Sequence, residues 1–216
     1  MTKVPLAGIV KTRLQPFLSP NECAALADAF LRDAVNKAET ICENIIIAFH
    51  PPSEVEKLKQ MLPDRFVFTA QTGDDLGTRM FNAFDFAFRN NSDSVVMIGT
   101  DSPTFPPDFI EQAFDFLEAN SDAVLGRTAD GGFYLIGLRV LHEEIFADVC
   151  WSSPHTFEQT RENIINLNLH LSETHDWYDV DTPSDFEQLQ KEFSTDEKAR
   201  RFARKTFEFL NSMKKF

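Results

Sequence analysis

The chain has 216 residues, enough for one large domain and too few for two full-sized ones. With 43% apolar and 25% charged residues it has ordinary globular composition, which excludes wholesale disorder and collagen-like repeats. Twenty-one basic against 34 acidic residues give a formal net charge of −13, the wrong sign for a non-specific nucleic-acid binder; an anionic ligand would need the field reversed locally by basic side chains or a metal.

In chain order, the first segment is Lys3-Val4-Pro5-Leu6-Ala7-Gly8-Ile9-Val10-Lys11-Thr12-Arg13-Leu14. Gly8 would let the backbone approach a ligand, and Lys3, Lys11 and Arg13 would offer charge and donors to phosphate oxygens. On charge alone, a solvated basic loop is the plainer account. Ser19-Pro20-Asn21-Glu22 is a capping box with Pro at the first helical position, and Cys23, Leu26, Ala27, Phe30, Ala34 and Val35 give that helix one apolar face. Asn44–Phe49 reads as a buried strand, Ser53 with Glu56 as a second capped helix start, and Arg65–Ala70 as a second strand. Gln71-Thr72-Gly73-Asp74-Asp75-Leu76-Gly77-Thr78-Arg79-Met80 then runs from that strand into a helix whose apolar face continues through Ala83, Phe84, Ala87 and Phe88. There Gln71 would read a base edge and Arg79 face phosphate, or the stretch is simply a capped helix start with an exposed Arg.

Ser94–Ile98 is a third strand, ending in Gly99-Thr100-Asp101-Ser102-Pro103. An Asp at a strand end suits a hard cation, Mg2+ or Mn2+, shared with substrate phosphates; an Asx-turn fits as well. Phe109, Ile110, Ala113, Phe114 and Leu117 mark a fourth helix. Strands at Ala123–Gly126 and Phe133–Leu138 flank Asp130-Gly131-Gly132, which by itself reads as a hairpin turn. Ser153-Pro154 and Thr182-Pro183-Ser184-Asp185 start two more helices. Just before the latter, Asp179 and Asp181 project to one side if extended. Asp181 would then join Asp101 at a metal, or the acids merely favour the helix start.

Alternation of strands and helices at this spacing predicts an α/β fold, three layers α/β/α around a mainly parallel, mixed sheet, with ligands beyond the carboxyl ends of the strands. No GxGxxG or P-loop pattern follows a strand. Cys23, Cys42 and Cys150 are odd in number and widely spaced, without disulfide or zinc patterning, and no run of about 18 apolar residues suggests a transmembrane segment. A cytoplasmic protein is therefore expected. Two regions are expected: a domain over 1–193 and, over 194–216, a basic amphipathic helix packed on it. Thr195–Phe216 carries net +4 against −17 for the rest. An oligomer contact or an anionic surface is the alternative use of that helix.

Together and in this order, the segments resemble bacterial GT-A-type glycosyltransferases found beside radical-SAM and selenoprotein-domain genes, some linked to arsenosugar biosynthesis. The matching patterns are K-x-P-x-x-G-x-x-K-T-R-L from Lys3, Q-x-G-x-D-L-G-x-R-M from Gln71, G-x-D-x-P from Gly99, D-G-G-F-Y-L-I-G-L from Asp130 and D-V-D-T-P-x-D from Asp179. The resemblance implies a nucleotide-diphospho-sugar transferase fold, similar also to the molybdenum cofactor and 2-phospholactate guanylyltransferases. It implies a nucleotide-sugar donor, a small-molecule acceptor, and Mg2+ or Mn2+ on Asp101 with Asp181 as second ligand. Lys3, Lys11 and Arg13 would contact phosphates, Gln71 and Arg79 the nucleotide side, and Asp130 the sugar or acceptor as general base. Relatives of this kind carry an apolar strand before the Lys-x-Pro segment; here only Met1 and Thr2 precede Lys3, so a sheet lacking its first strand is expected. Two other functions fit the same residues: a nucleotidyltransferase acting on a phosphorylated small molecule, and a non-catalytic remnant of the fold.

Overall fold

Short apolar runs become strands and amphipathic runs become helices in the computed structural model, which describes residues 1–15 and 17–213. The strands are β1 (Thr2–Lys3), β2 (Ile46–His50), β3 (Val67–Ala70), β4 (Val95–Ile98), β5 (Ala123–Arg127), β6 (Phe133–Leu138) and β7 (Leu171–Glu173). The helices are α1 (Pro20–Ile41), α2 (Val55–Met61), α3 (Leu76–Arg89), α4 (Asp108–Ala119), α5 (Thr156–Asn166), α6 (Pro183–Thr195), α7 (Glu197–Phe202) and α8 (Arg204–Met213). One sheet has the order β1-β2-β3, all parallel; the other has the order β4-β6-β5-β7, with β6 antiparallel to β4 and β5, and β5 parallel to β7.

The first strand is present, contrary to the expectation of a gap. Thr2 and Lys3 pair in register with Phe49 and His50, and the Met1 nitrogen donates to the Ile98 carbonyl at the end of β4. This two-residue strand thereby stands between the two sheets. It escapes a search for apolar runs because two residues carry no periodicity.

Strand alternation explains the layers. Ala123 and Leu125 of β5, with Ile136 and Leu138 of β6, pack with Met80 and Phe84 of α3 and Phe157 and Ile164 of α5. Val124 and Leu135 face the other way, onto Ile110, Ala113 and Leu117 of α4. Period-two strands buried on both sides need helices on both sides. The capping boxes at Ser19 and Thr182 form, closed by Glu22 and Asp185. The box expected at Ser53 and Glu56 does not: Pro52–Glu54 forms a 3-10 turn, and α2 starts after it without a side-chain cap. Ser153-Pro154 likewise lies in the turn ahead of α5, whose first residue is Thr156. The carboxyl-terminal segment is two helices, α7 and α8, with Lys214–Phe216 outside the described residues.

Helix α1 anchors both the terminal helices and the loop after β4. Asp33, 1% exposed, accepts from the Lys205 and Thr206 amides at 2.8 Å and the Thr206 hydroxyl at 2.7 Å, so it caps the start of α8. One turn on, Lys37 is 3% exposed and donates to the carbonyls of Pro103 and Phe105. Burial pulls the Lys37 amine down to about 7, against the attraction of Asp33 and Glu192. An unfolded lysine keeps its proton to about pH 10.4, so across the interval above neutrality the unfolded chain binds more protons and stability rises with pH. Lys37→Met should flatten that rise. Urea unfolding at about pH 7 and about pH 9.5 tests it; a rise of equal size in the variant would contradict this assignment.

Candidate active site

The loops that leave the carboxyl ends of the strands converge on one cleft of about 850 Å³. Its walls come from the segment after β1, the β3–α3 connection, the loop after β4, the β5–β6 hairpin and the stretch before α6. This is the position that an α/β sheet assigns to ligands. Two of these loops are joined directly. The Val180 amide donates to the Asp101 carbonyl at 2.8 Å, and Ser102 donates from its hydroxyl to the Asp179 carboxylate. Trp177 Nε1 donates to Thr104 Oγ1 at 3.2 Å, and the Tyr178 hydroxyl donates to Glu192 on α6. Burial, the bond to Glu192 and nearby carboxylates raise the Tyr178 phenol, so it stays a donor.

The joined loops form the acidic end of the cleft. Asp101, Asp130, Asp179 and Asp181 all line it. Lys11 reaches in from the 3-10 turn Thr12–Leu14, which it precedes, and its Nζ lies 2.5 Å from Asp101 Oδ1 and 3.0 Å from Asp181 Oδ1. Burial alone would lower the Lys11 amine; the charges and hydrogen bonds of Asp101 and Asp181 outweigh it, and the net shift is upward. Arg13, largely exposed, approaches Asp181 Oδ2 at 4.0 Å. Asp179 is pushed up to about 7, first by burial and then by the charges of Asp101, Asp130 and Asp181, while the Ser102 bond works the other way. Asp130 Oδ1 accepts from Thr128 Oγ1 at 2.6 Å and the Gly132 amide at 3.1 Å. That fixes the carboxylate in its turn and leaves Oδ2 outside both bonds.

The other end of the cleft carries both signs: Asp74 and Asp75 belong to its lining, and Asp75, which caps α3 through the Thr78 amide at 2.7 Å, feels the charge of Arg79. Lys3 and Arg79 line this end too, and among the described residues neither has a carboxylate within ion-pair distance. Arg79 is aimed by its Nε–H bond to the Gly73 carbonyl at 2.9 Å. Gln71 lines the cleft with its amide nitrogen committed to the carbonyls of Thr2 at 3.0 Å and Ala48 at 2.9 Å. Its carbonyl oxygen is the group left to meet a ligand. Gly8 does not reach the cleft: it has φ 82°, open space around it, and turns the chain between Pro5 and Val10. His50 also lies outside the lining, with Nδ1 buried and unpartnered. Burial and the neighbouring charges of Arg79 and Lys3 lower its pKa, which favours the neutral imidazole.

Asp179 and Ser102 were not singled out as site residues by sequence, although the alternating Asp179-Val180-Asp181 pattern carried the signal. Phe133 and Trp151 also line the cleft, with ring centroids 6.4 Å apart in an edge-to-face pair. Among the described residues no group of three His, Cys, Asp or Glu side chains forms a ready metal cage. The donor set at Asp101 and Asp181 nevertheless suits a hard cation, being oxygen only, and the Lys11 ammonium stands in for a cation between them. A divalent ion held there would need further oxygens from a ligand.

Comparison with known proteins places this geometry. No curated protein matches the sequence. A candidate nucleotide-diphospho-sugar transferase from Desulfovibrio desulfuricans is 29% identical, with a TM-score of 0.84 over 98% of this chain and 94% of that one. The 4-diphosphocytidyl-2C-methyl-D-erythritol synthase of Anaerococcus prevotii is 11% identical, with a TM-score of 0.56 over 80% of this chain and 90% of that one. Rv0371c from Mycobacterium tuberculosis is 18% identical, with a TM-score of 0.51 over 88% and 96%. The last two share the fold alone. No helix among the described residues is long and apolar enough to cross a membrane. The family model for an uncharacterized protein conserved in bacteria, DUF2064, matches residues 26–153, more than half of the chain, and the protein belongs to that family, on a nucleotide-diphospho-sugar transferase type of fold.

Proposed function

We propose that the protein is a metal-dependent glycosyltransferase of the GT-A type, acting on a nucleotide-diphosphate sugar and a small-molecule acceptor. The observation that carries this reading is one cleft with an oxygen-only acidic end and, outside it, two cations, Lys3 and Arg79, that lie within ion-pair distance of no carboxylate among the described residues. A diphosphate brings more negative charge to a chain already at −13, in a cleft lined by six carboxylates, so its binding calls for a divalent cation as well as Lys and Arg. The likeness to the Desulfovibrio protein, and the order of motifs shared with glycosyltransferases found beside radical-SAM genes, support the same class.

Asp101 and Asp181 would hold Mg2+ or Mn2+, which stabilises charge on the leaving diphosphate. Lys3, Lys11, Arg13 and Arg79 would bind phosphate oxygens. Gln71 would accept a hydrogen bond from the base. Asp130 is the group to take the proton from an acceptor hydroxyl, with Thr128 and the Gly132 amide holding it in place. The fold is equally that of a nucleotidyl transfer enzyme such as the Anaerococcus synthase, so a nucleotidyltransferase is the second reading. Release of free nucleoside diphosphate identifies the first and pyrophosphate the second.

In a thermal-shift panel of nucleoside diphosphates and triphosphates, with Mn2+ and with chelator, diphosphates should stabilise the protein only in the presence of metal. Asp101→Ala should abolish that shift with the fold kept, and should lower turnover by roughly a hundredfold or more. An undiminished shift in the variant would remove the metal assignment. Asp130→Asn should lower kcat by about a hundredfold with donor binding unchanged. Loss of donor binding instead would place Asp130 on the nucleotide.

A further inference from the structure

The acidic end of the cleft already contains a cation. Lys11 Nζ donates to the Val180 carbonyl at 2.9 Å as well as meeting Asp101 Oδ1 and Asp181 Oδ1, and these three acceptors use all three donors of an ammonium. The Lys11 side chain is 5% exposed, although the carboxylates it joins are 48% and 37% exposed. Its backbone is left-handed, with φ 49° and ψ 38°, a conformation that strains a residue with a side chain and is kept only where surroundings fix it. The lysine is thus drawn inward to two acids and a carbonyl, away from water.

A divalent ion that uses the same two oxygens needs the space the ammonium fills, and two cations side by side repel. The lysine therefore has to leave before the metal enters. The ammonium, 5% exposed, loses both ion-pair partners when it is displaced, and a buried charge without a partner is costly, so it leaves most readily for another concentration of negative charge. A diphosphate supplies that charge, and Lys3 and Arg79, without carboxylate partners among the described residues, offer it a first hold in the same cleft.

We propose that Lys11 is an internal counter-ion that bars divalent metal from Asp101 and Asp181 until a diphosphate draws its ammonium away. Metal and diphosphate then bind as a pair, each strengthening the other by the same factor. This inference rests on the metal reading above, and deepens it by assigning how the site is regulated.

The test is Mn2+ retained with the protein on ultrafiltration, alone and with pyrophosphate, GDP or UDP. Wild-type protein should hold Mn2+ weakly alone and about tenfold or more tightly with at least one diphosphate. Lys11→Met should hold Mn2+ about tenfold more tightly than wild type without any diphosphate, and Asp101→Asn in that background should remove the gain. Wild-type coupling alone also follows from Mn2+ binding directly to the diphosphate, so the variant decides for the gate; Lys11→Gln, neutral and shorter, replaces Lys11→Met in the same measurement if that variant does not fold. Equal Mn2+ binding by wild type with and without diphosphate overturns the gate while leaving a metal site in place. So does a folded Lys11→Met that binds Mn2+ no better than wild type, because Lys11 would then be orienting the carboxylates rather than excluding the ion. Absence of Mn2+ binding by both proteins under every condition overturns the metal reading itself, and the gate with it.

Discussion

Four carboxylates share one end of the cleft, and like charges gathered in a partly dry site repel unless each is answered. The structure answers them one by one. Lys11 lies between Asp101 and Asp181, the Ser102 hydroxyl donates to Asp179, and Thr128 with the Gly132 amide holds Asp130. Asp179, the most enclosed, is also the one whose proton is held up to about 7. The loops that carry these acids come from distant parts of the chain. Their convergence is sustained by the partners they share rather than by any one strand.

Those loops are in turn fixed to the body of the fold through polar groups buried in it. Lys37 of α1 holds the carbonyls of Pro103 and Phe105, its Nζ 4.0 Å above the Phe105 ring, and Thr104 between them receives Trp177. Asp33, four residues earlier on the same helix, fixes the start of α8. Buried charges of this kind stabilise little on net, because desolvation offsets the attraction, but removing one partner leaves the other stranded. Their effect is to specify geometry. Helix α1 ties the Asp101 loop and the carboxyl-terminal helices to the same rigid element.

Much of this architecture was legible in the sequence, and the limits of legibility have physical causes. The boxes at Ser19 and Thr182 were readable because a capping side chain and its return partner sit at fixed spacing. The same pattern failed at Ser53, where Pro51 and Pro52 impose a 3-10 turn before α2 can begin. Strands β1 and β7, two and three residues long, were invisible because their pairing is decided by neighbours. At the site, Lys11, Asp101 and Asp181 were identifiable by motif order, and the structure brings them together. That Lys11 is spent on the two acids, and Gln71 on the carbonyls of Thr2 and Ala48, was not legible: hydrogen-bond partners separated by up to 170 positions leave no local pattern.

Two glycines couple the ends of the cleft. A Cβ on Gly77, near the start of α3, would stand 2.6 Å from the indole ring of Trp151, and one on Gly131 would collide with the Pro154 carbonyl. The chain from Trp151 to Pro154 therefore lies directly against both the helix that carries Arg79 and the turn that carries Asp130. Gly131 also has φ 89°, which suits a residue without a side chain. Under the proposed function the contact matters, because Arg79, on helix α3, and Asp130, in the turn between β5 and β6, sit on separate elements. A segment wedged against both through close backbone approach keeps their separation fixed, and side-chain geometry at a site is only as good as the backbone spacing beneath it. The two glycines thus belong to the site by what they exclude, although neither offers a polar side chain to a ligand.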